Sequence, residues 1–220
     1  MSAASSLASV FGVIAEEFAA DTGVEVTLNL DASSSLASQV LEGAPVDVVA
    51  LADPASMQRL ADADVLSGPP ASFATTTLVI VTPPANPAGI TSLADLVDVD
   101  VVALCALQAP CGRYAEQALD AAGVALGDGR VTRTRNATAT LTAVADGDAL
   151  AGIVYVTDAR AAGERVEVVP LPATDVVATY SIATTSRRVA ARAFVDWVVG
   201  PSGQASLADA GFGPQAEASS

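Results

Sequence analysis

Apolar residues in this chain change their spacing repeatedly: stretches that recur every three or four positions give way to stretches that alternate or run unbroken, and then return. No other feature constrains the fold as much, because a 3.6-residue period buries one stripe of a helix and a two-residue period buries one face of a strand. Leu7, Val10, Phe11, Ile14 and Phe18 recur at helical spacing ahead of Gly23, with Ser5 or Ser6 as the expected cap. Val24, Val26, Leu28 and Leu30 then alternate with polar neighbours, which predicts a half-buried strand. Ser33, Ser34 and Ser35 supply a second N-cap cluster before LASQVLEG, and VDVVAL from Val46 to Leu51 reads as a buried strand.

The rhythm continues through MQRLADADVL, TTLVIVT, VDVDVVALC, the helix RYAEQALDAAG, the strand VTRTR, the helix ATLTAVADG and the strand GIVYV. Strand-like stretches follow near Val166 to Val169 and Tyr180 to Ala183, then a helix from about Val189 to Val199, a turn at GPSGQ and a last short helix. The polar tail from Pro214 to Ser220 is expected to be disordered. Alternation of this kind defines α/β architecture, and 220 residues suffice for one large domain or two modest lobes.

Residue types close off several functions. Histidine is absent, which removes Ser-His-Asp triads, Cys-His dyads and His-containing metal sites. Lysine is also absent and the formal charge is −15, a balance that argues against nucleic acid and anionic membranes as partners. No apolar run approaches the roughly 18 residues that a membrane span needs. Met1 is followed at once by SAASSL, with neither a basic segment nor an apolar core, so no signal segment is expected in this stretch and its start reads as truncated. Cys105 and Cys111, in CALQAPC, fit neither a zinc knuckle nor a CxxC redox pair. They are open to two readings, one local disulfide or two buried thiols, and export would favour the bridge.

Four helix starts carry small or hydroxyl residues: Ser5-Ser6, Ser33-Ser34-Ser35, Pro110-Cys111-Gly112 and Asn136-Ala137-Thr138. A helix N-terminus aims unpaired N–H groups outward and carries about half a positive charge, so several converging starts make an anion site without a cation. Any one of them alone is an ordinary cap.

Five stretches go further. AASSLASVFGVIAEEFAADTGVEVTL, ASSSLASQVLEGAPVDVVALAD, APCGRYAEQALDAAG, AGIVYVTDA and GPSGQASLADAGFG, in this order and spacing, resemble the periplasmic molybdate-binding proteins of the type II solute-binding fold over nearly the whole chain. The resemblance implies two lobes, residues 1–78 plus 183–220 and residues 79–182. Each would be a mixed, mostly parallel sheet flanked by helices, with two hinge crossings near LVIVT and YSIAT. It implies capture of molybdate, and of tungstate, in the interlobe cleft for delivery to the permease of an ABC importer.

The implied ligand set is Ser6 and Ser33 through hydroxyl and backbone N–H, Cys111 and Ala137 through backbone N–H, and Tyr155 through its hydroxyl. Such a donor-only cage would admit molybdate and tungstate and reject smaller sulfate and protonated phosphate. The implied protein is a periplasmic or membrane-anchored extracellular monomer, not an enzyme, with no cofactor and no direct metal-ion ligands.

The chain departs from the family in three places. This stretch holds almost none of the strand that the family has before AAS, and a protein lacking that strand is expected to hold Ser6 insecurely. Thr138 replaces a polar or basic residue. Cys105 stands where an aspartate is usual, and a Cys105–Cys111 bridge would staple the anion loop, worth about 2 kcal/mol. Three alternatives remain: a receptor for another oxyanion such as sulfate or phosphate, the ligand-sensing domain of a transcription regulator, and an enzyme built on carboxylates or serine. No DNA-binding segment supports the second, and Ser5-Ser6 lacks a plausible general base for the third.

Overall fold

A computed structural model describes residues 1–171 and 176–215. The chain forms two compact units, Met1–Thr75 with Ala178–Ser220, and Thr76–Val177. In unit 1 the strands are β1 (Ser2–Ala4), β2 (Asn29–Asp31), β3 (Val48–Leu51) and β4 (Ala71–Thr76), and the helices α1 (Ala8–Thr22), α2 (Ser33–Leu41) and α3 (Pro54–Asp62). Next come β5 (Leu78–Thr82), β6 (Val102–Cys105), β7 (Val131–Thr134), β8 (Ala151–Tyr155) and β9 (Glu167–Pro170), with α4 (Pro110–Ala121), α5 (Ala137–Ala145) and α6 (Val156–Ala162). Strand β10 (Ala178–Thr184) returns the chain to unit 1, which α7 (Val189–Val199) and α8 (Pro201–Asp209) complete.

The first sheet runs β2-β1-β3-β10-β4, with β2, β1 and β3 parallel and β10 antiparallel to β3. Helix α1 packs through Val10, Phe11, Ile14 and Phe18, all buried, and ends at Gly23, whose φ of 73° is the left-handed cap that glycine adopts without a Cβ penalty. Phe18 and Phe11 meet Phe194 of α7 edge to face, at 5.1 and 6.3 Å between ring centroids, and Phe11 also meets Phe73 of β4 at 5.8 Å. Burial of each such ring contributes about 1.5–3 kcal/mol. On another side Leu36, Val40, Val49, Leu51, Met57 and Leu60 form a second cluster that seats α2 and α3.

The second sheet repeats the plan: β7-β6-β8-β5-β9, with β7, β6 and β8 parallel and β5 antiparallel to both β8 and β9. Every residue of β5, β6 and β8 is buried, as expected of strands covered on both faces. Val79, Val81, Ala103, Leu141, Val144 and Val154 join α5 to this sheet. No helix among the described residues is long and apolar enough to cross a membrane.

Several expectations are corrected. Neither Ser5 nor Ser6 caps α1: Ser5–Leu7 form a 3-10 turn, and the N-cap is Leu7, without a side-chain bond. Ser33–Ser35 lie inside α2, whose N-cap is Ala32, because the Ser33 hydroxyl is engaged elsewhere. The strand read over Val24 to Leu30 contracts to Asn29–Asp31, since its ladder partner β1 starts at Ser2, opposite Asn29. The strand before Ser5 is nevertheless present as Ser2–Ala4, buried between β2 and β3 and paired with both. Unit boundaries fall at 75/76 and 177/178 rather than 78/79 and 182/183, because β10 pairs with β3 from Ser181 to Thr184 and belongs wholly to unit 1. In the tail, Pro214 is tied down by its carbonyl, which accepts from Thr75 Oγ1 at 3.0 Å; residues 216–220 lie outside the described residues.

Candidate functional site

In each unit the candidate residues sit at or just past the carboxyl ends of adjacent parallel strands, the place where ligands bind open α/β sheets. Unit 1 has β2, β1 and β3 side by side with Ala4 opposite Asp31, so the segments carrying Ser6 and Ser33 leave the sheet next to each other. Ser6 is buried, and its Oγ lies 2.9 Å from the hydroxyl of Tyr180 on β10. Ser33 is the first residue of α2, and its Oγ accepts the Ala52 N–H, just past β3, at 2.9 Å. That bond occupies a lone pair and leaves the Ser33 hydroxyl hydrogen to donate. Asp31 turns a carboxylate oxygen onto the Ala32 N–H, and Asp53 turns one onto the Ser56 N–H.

Unit 2 aligns Cys105 of β6 with Thr134 of β7, which brings the starts of α4 and α5 to one edge; β8 lies on the other side of β6 and ends there at Tyr155. Pro110 is the first residue of α4 and has no N–H, so the first amide the helix offers is that of Cys111. Asn136 caps α5 and accepts the Ala139 N–H with its side-chain oxygen at 2.9 Å, so the Ala137 amide lies outside that cap. Tyr155 is 1% exposed and meets Tyr114 at 6.4 Å between ring centroids. Cys105 and Cys111 form a disulfide with Cα atoms 5.8 Å apart.

Ser6 and Ser33 thus share one sheet edge, and Cys111, Ala137 and Tyr155 share another. None of these side chains is cationic, and what the candidates offer is hydroxyls and backbone amides. Sequence reasoning missed Tyr180 and Ala52, which touch Ser6 and Ser33, and Thr140, whose Oγ1 lies 3.3 Å from Cys105 Sγ. Tyr180 lies 174 positions from Ser6, so no local pattern joins them.

Two such sheets, with the candidate hydroxyls and amides at their strand ends, together with a match along nearly the whole chain, define a solute-binding protein. The chain belongs to the bacterial extracellular solute-binding protein family, whose pattern matches residues 1–213. It is 41% identical over 216 residues to the molybdate-binding protein ModA of Mycobacterium tuberculosis, covering 96% of this chain and 82% of that one. Among solved structures it resembles the substrate-binding domain of a putative molybdenum ABC transporter from Clostridium difficile, with TM-score 0.71, 26% identity and coverage of 98% and 97%. The Azotobacter vinelandii periplasmic molybdate-binding protein shares the fold at TM-score 0.78 and 21% identity, covering 96% of each chain. The sulfate-binding protein SubI of Mycobacterium tuberculosis shares it at TM-score 0.84 and 20% identity, covering 97% and 85%.

Proposed function

We propose that this protein captures molybdate, and tungstate as well, and delivers it to the membrane permease of an ABC importer. In this reading the oxyanion is held by the hydroxyls of Ser6, Ser33 and Tyr155 and by the amides of Cys111 and Ala137. The single observation that carries it is the 41% identity to a molybdate-binding protein along almost the whole chain. The chemistry of the donor set agrees. An oxyanion with four oxygens and no hydrogens needs donors only, which amides and hydroxyls supply, whereas a monohydrogen phosphate would have to turn one of the hydroxyls into an acceptor for its own proton. The protein acts as a monomeric, exported receptor without enzymatic turnover or a cofactor.

Calorimetric titration of anion-stripped protein tests this. Molybdate and tungstate should bind one to one, with sulfate and phosphate at least about 100-fold weaker, a gap of roughly 2.7 kcal/mol. Equal affinity for sulfate, or no heat with any of the four anions, would overturn the assignment.

A further inference from the structure

The starts of α4 and α5 are joined by a buried path that neither helix makes alone. Cys105 ends β6 and Cys111 is the second residue of α4, so their disulfide closes the loop between strand and helix. Cys105 Sγ also lies 3.3 Å from Thr140 Oγ1 on α5, 35 positions further along. A disulfide sulfur has no hydrogen, so Thr140 is the donor in that contact. That one hydroxyl hydrogen is shared with the Asn136 carbonyl, 3.3 Å from Thr140 Oγ1, and Thr134 Oγ1 lies 2.6 Å away at the end of β7. The Thr140 amide in turn donates to the carbonyl of Asn136, the cap of α5, at 3.1 Å. Cys105 and Thr140 are fully buried, so water does not compete for these bonds.

Two further features press the same elements together. A Cβ built on Gly112 would lie 2.1 Å from the Ala106 carbonyl oxygen, so the first turn of α4 rests directly on the stapled loop. Arg133 of β7 donates to the Cys105 carbonyl at 3.1 Å and pairs with Glu116 of α4 at 2.6 Å.

We infer that the Cys105–Cys111 disulfide and Thr140 are positioning residues that fix the amides of Cys111 and Ala137 relative to each other, so that opening the bridge weakens the hold on the oxyanion. The inference rests on the reading of the site given above. Preorganised donors bind more tightly because less ordering is left for the moment of binding.

The test compares oxidised wild type, Thr140→Val, Thr140→Ser and protein reduced with dithiothreitol. The reductant supplies two electrons and two protons to the sulfurs and closes its own ring disulfide. A Cys105→Ala/Cys111→Ala double variant serves where the buried bond resists the reagent. Molybdate affinity should fall roughly tenfold on reduction and in Thr140→Val, stay at wild type in Thr140→Ser, and fall less on reduction in the Thr140→Val background. Amide hydrogen exchange at Ala139 and Thr140, on the helix that bears no cysteine, should quicken on reduction without ligand. If Thr140→Val does not fold, the oxidised and reduced wild-type proteins decide the matter. Oxidised wild type that binds molybdate, alongside reduced protein and Thr140→Val of equal affinity, or exchange that quickens only in α4, overturns the inference alone. Wild type that binds no oxyanion overturns the site assignment and this inference with it.

Discussion

Burial pushes the carboxyl of Asp158 up to about 7 from an ordinary 3.8, and the Tyr155 backbone N–H, donating to it across the first turn of α6, opposes that shift. The arrangement is half of a capping box, with an acidic residue three places into the helix reaching back to the N-cap. It seats the residue whose hydroxyl is a candidate ligand group. Because the folded pKa exceeds the unfolded one, the folded protein holds this proton where the unfolded chain has already lost it. Asp158 therefore favours the fold fully below about pH 4, and that contribution is lost as pH rises towards about 7. Asp158→Asn keeps the shape without the charge. Urea midpoints should fall less between pH 5 and 8 in the variant than in wild type, a difference on the order of 1–3 kcal/mol at pH 8. Superimposable pH profiles would assign the titration to another group.

At the scale of elements the loop from β6 into α4 has little tolerance. Gly112→Ala would drive a methyl into the Ala106 carbonyl and should cost about 2–4 kcal/mol in unfolding experiments, with oxyanion affinity falling alongside. Gly127→Ala, where no atom lies within 4 Å of the added carbon and φ is −67°, should change neither. Elements with a long, strong period were legible in the sequence: α1, α4, α5 and α7 lie where their apolar spacing puts them. Short elements were not. Strand β4 carries ASFATT, with Phe73 as its one large apolar side chain, and α6 follows β8 without a turn residue to announce it. Serine helix starts were legible as starts but misread as caps, because the Ser33 hydroxyl answers a tertiary amide, Ala52, rather than its own helix. The same reason hid Tyr180 and Thr140, whose partners at the site are set by strand order and not by neighbours in the chain.

For the whole molecule, the neutrality of the donor set has a kinetic meaning. The protein carries −15, and its ligand in the proposed function is a dianion, so at long range receptor and ligand repel each other. No lysine exists to steer the approach, and no arginine stands among the candidate donors. Added salt shortens the reach of that repulsion, to about 10 Å at 0.1 M, while amides and hydroxyls at contact distance are barely screened. Molybdate association followed by stopped-flow fluorescence should therefore speed up about two- to fivefold between roughly 20 and 200 mM sodium chloride, with dissociation almost unchanged. A rate that falls with salt would reveal a basic group guiding the anion in. A receptor of this kind gains affinity in brackish surroundings, where one that relies on a cationic pocket loses it.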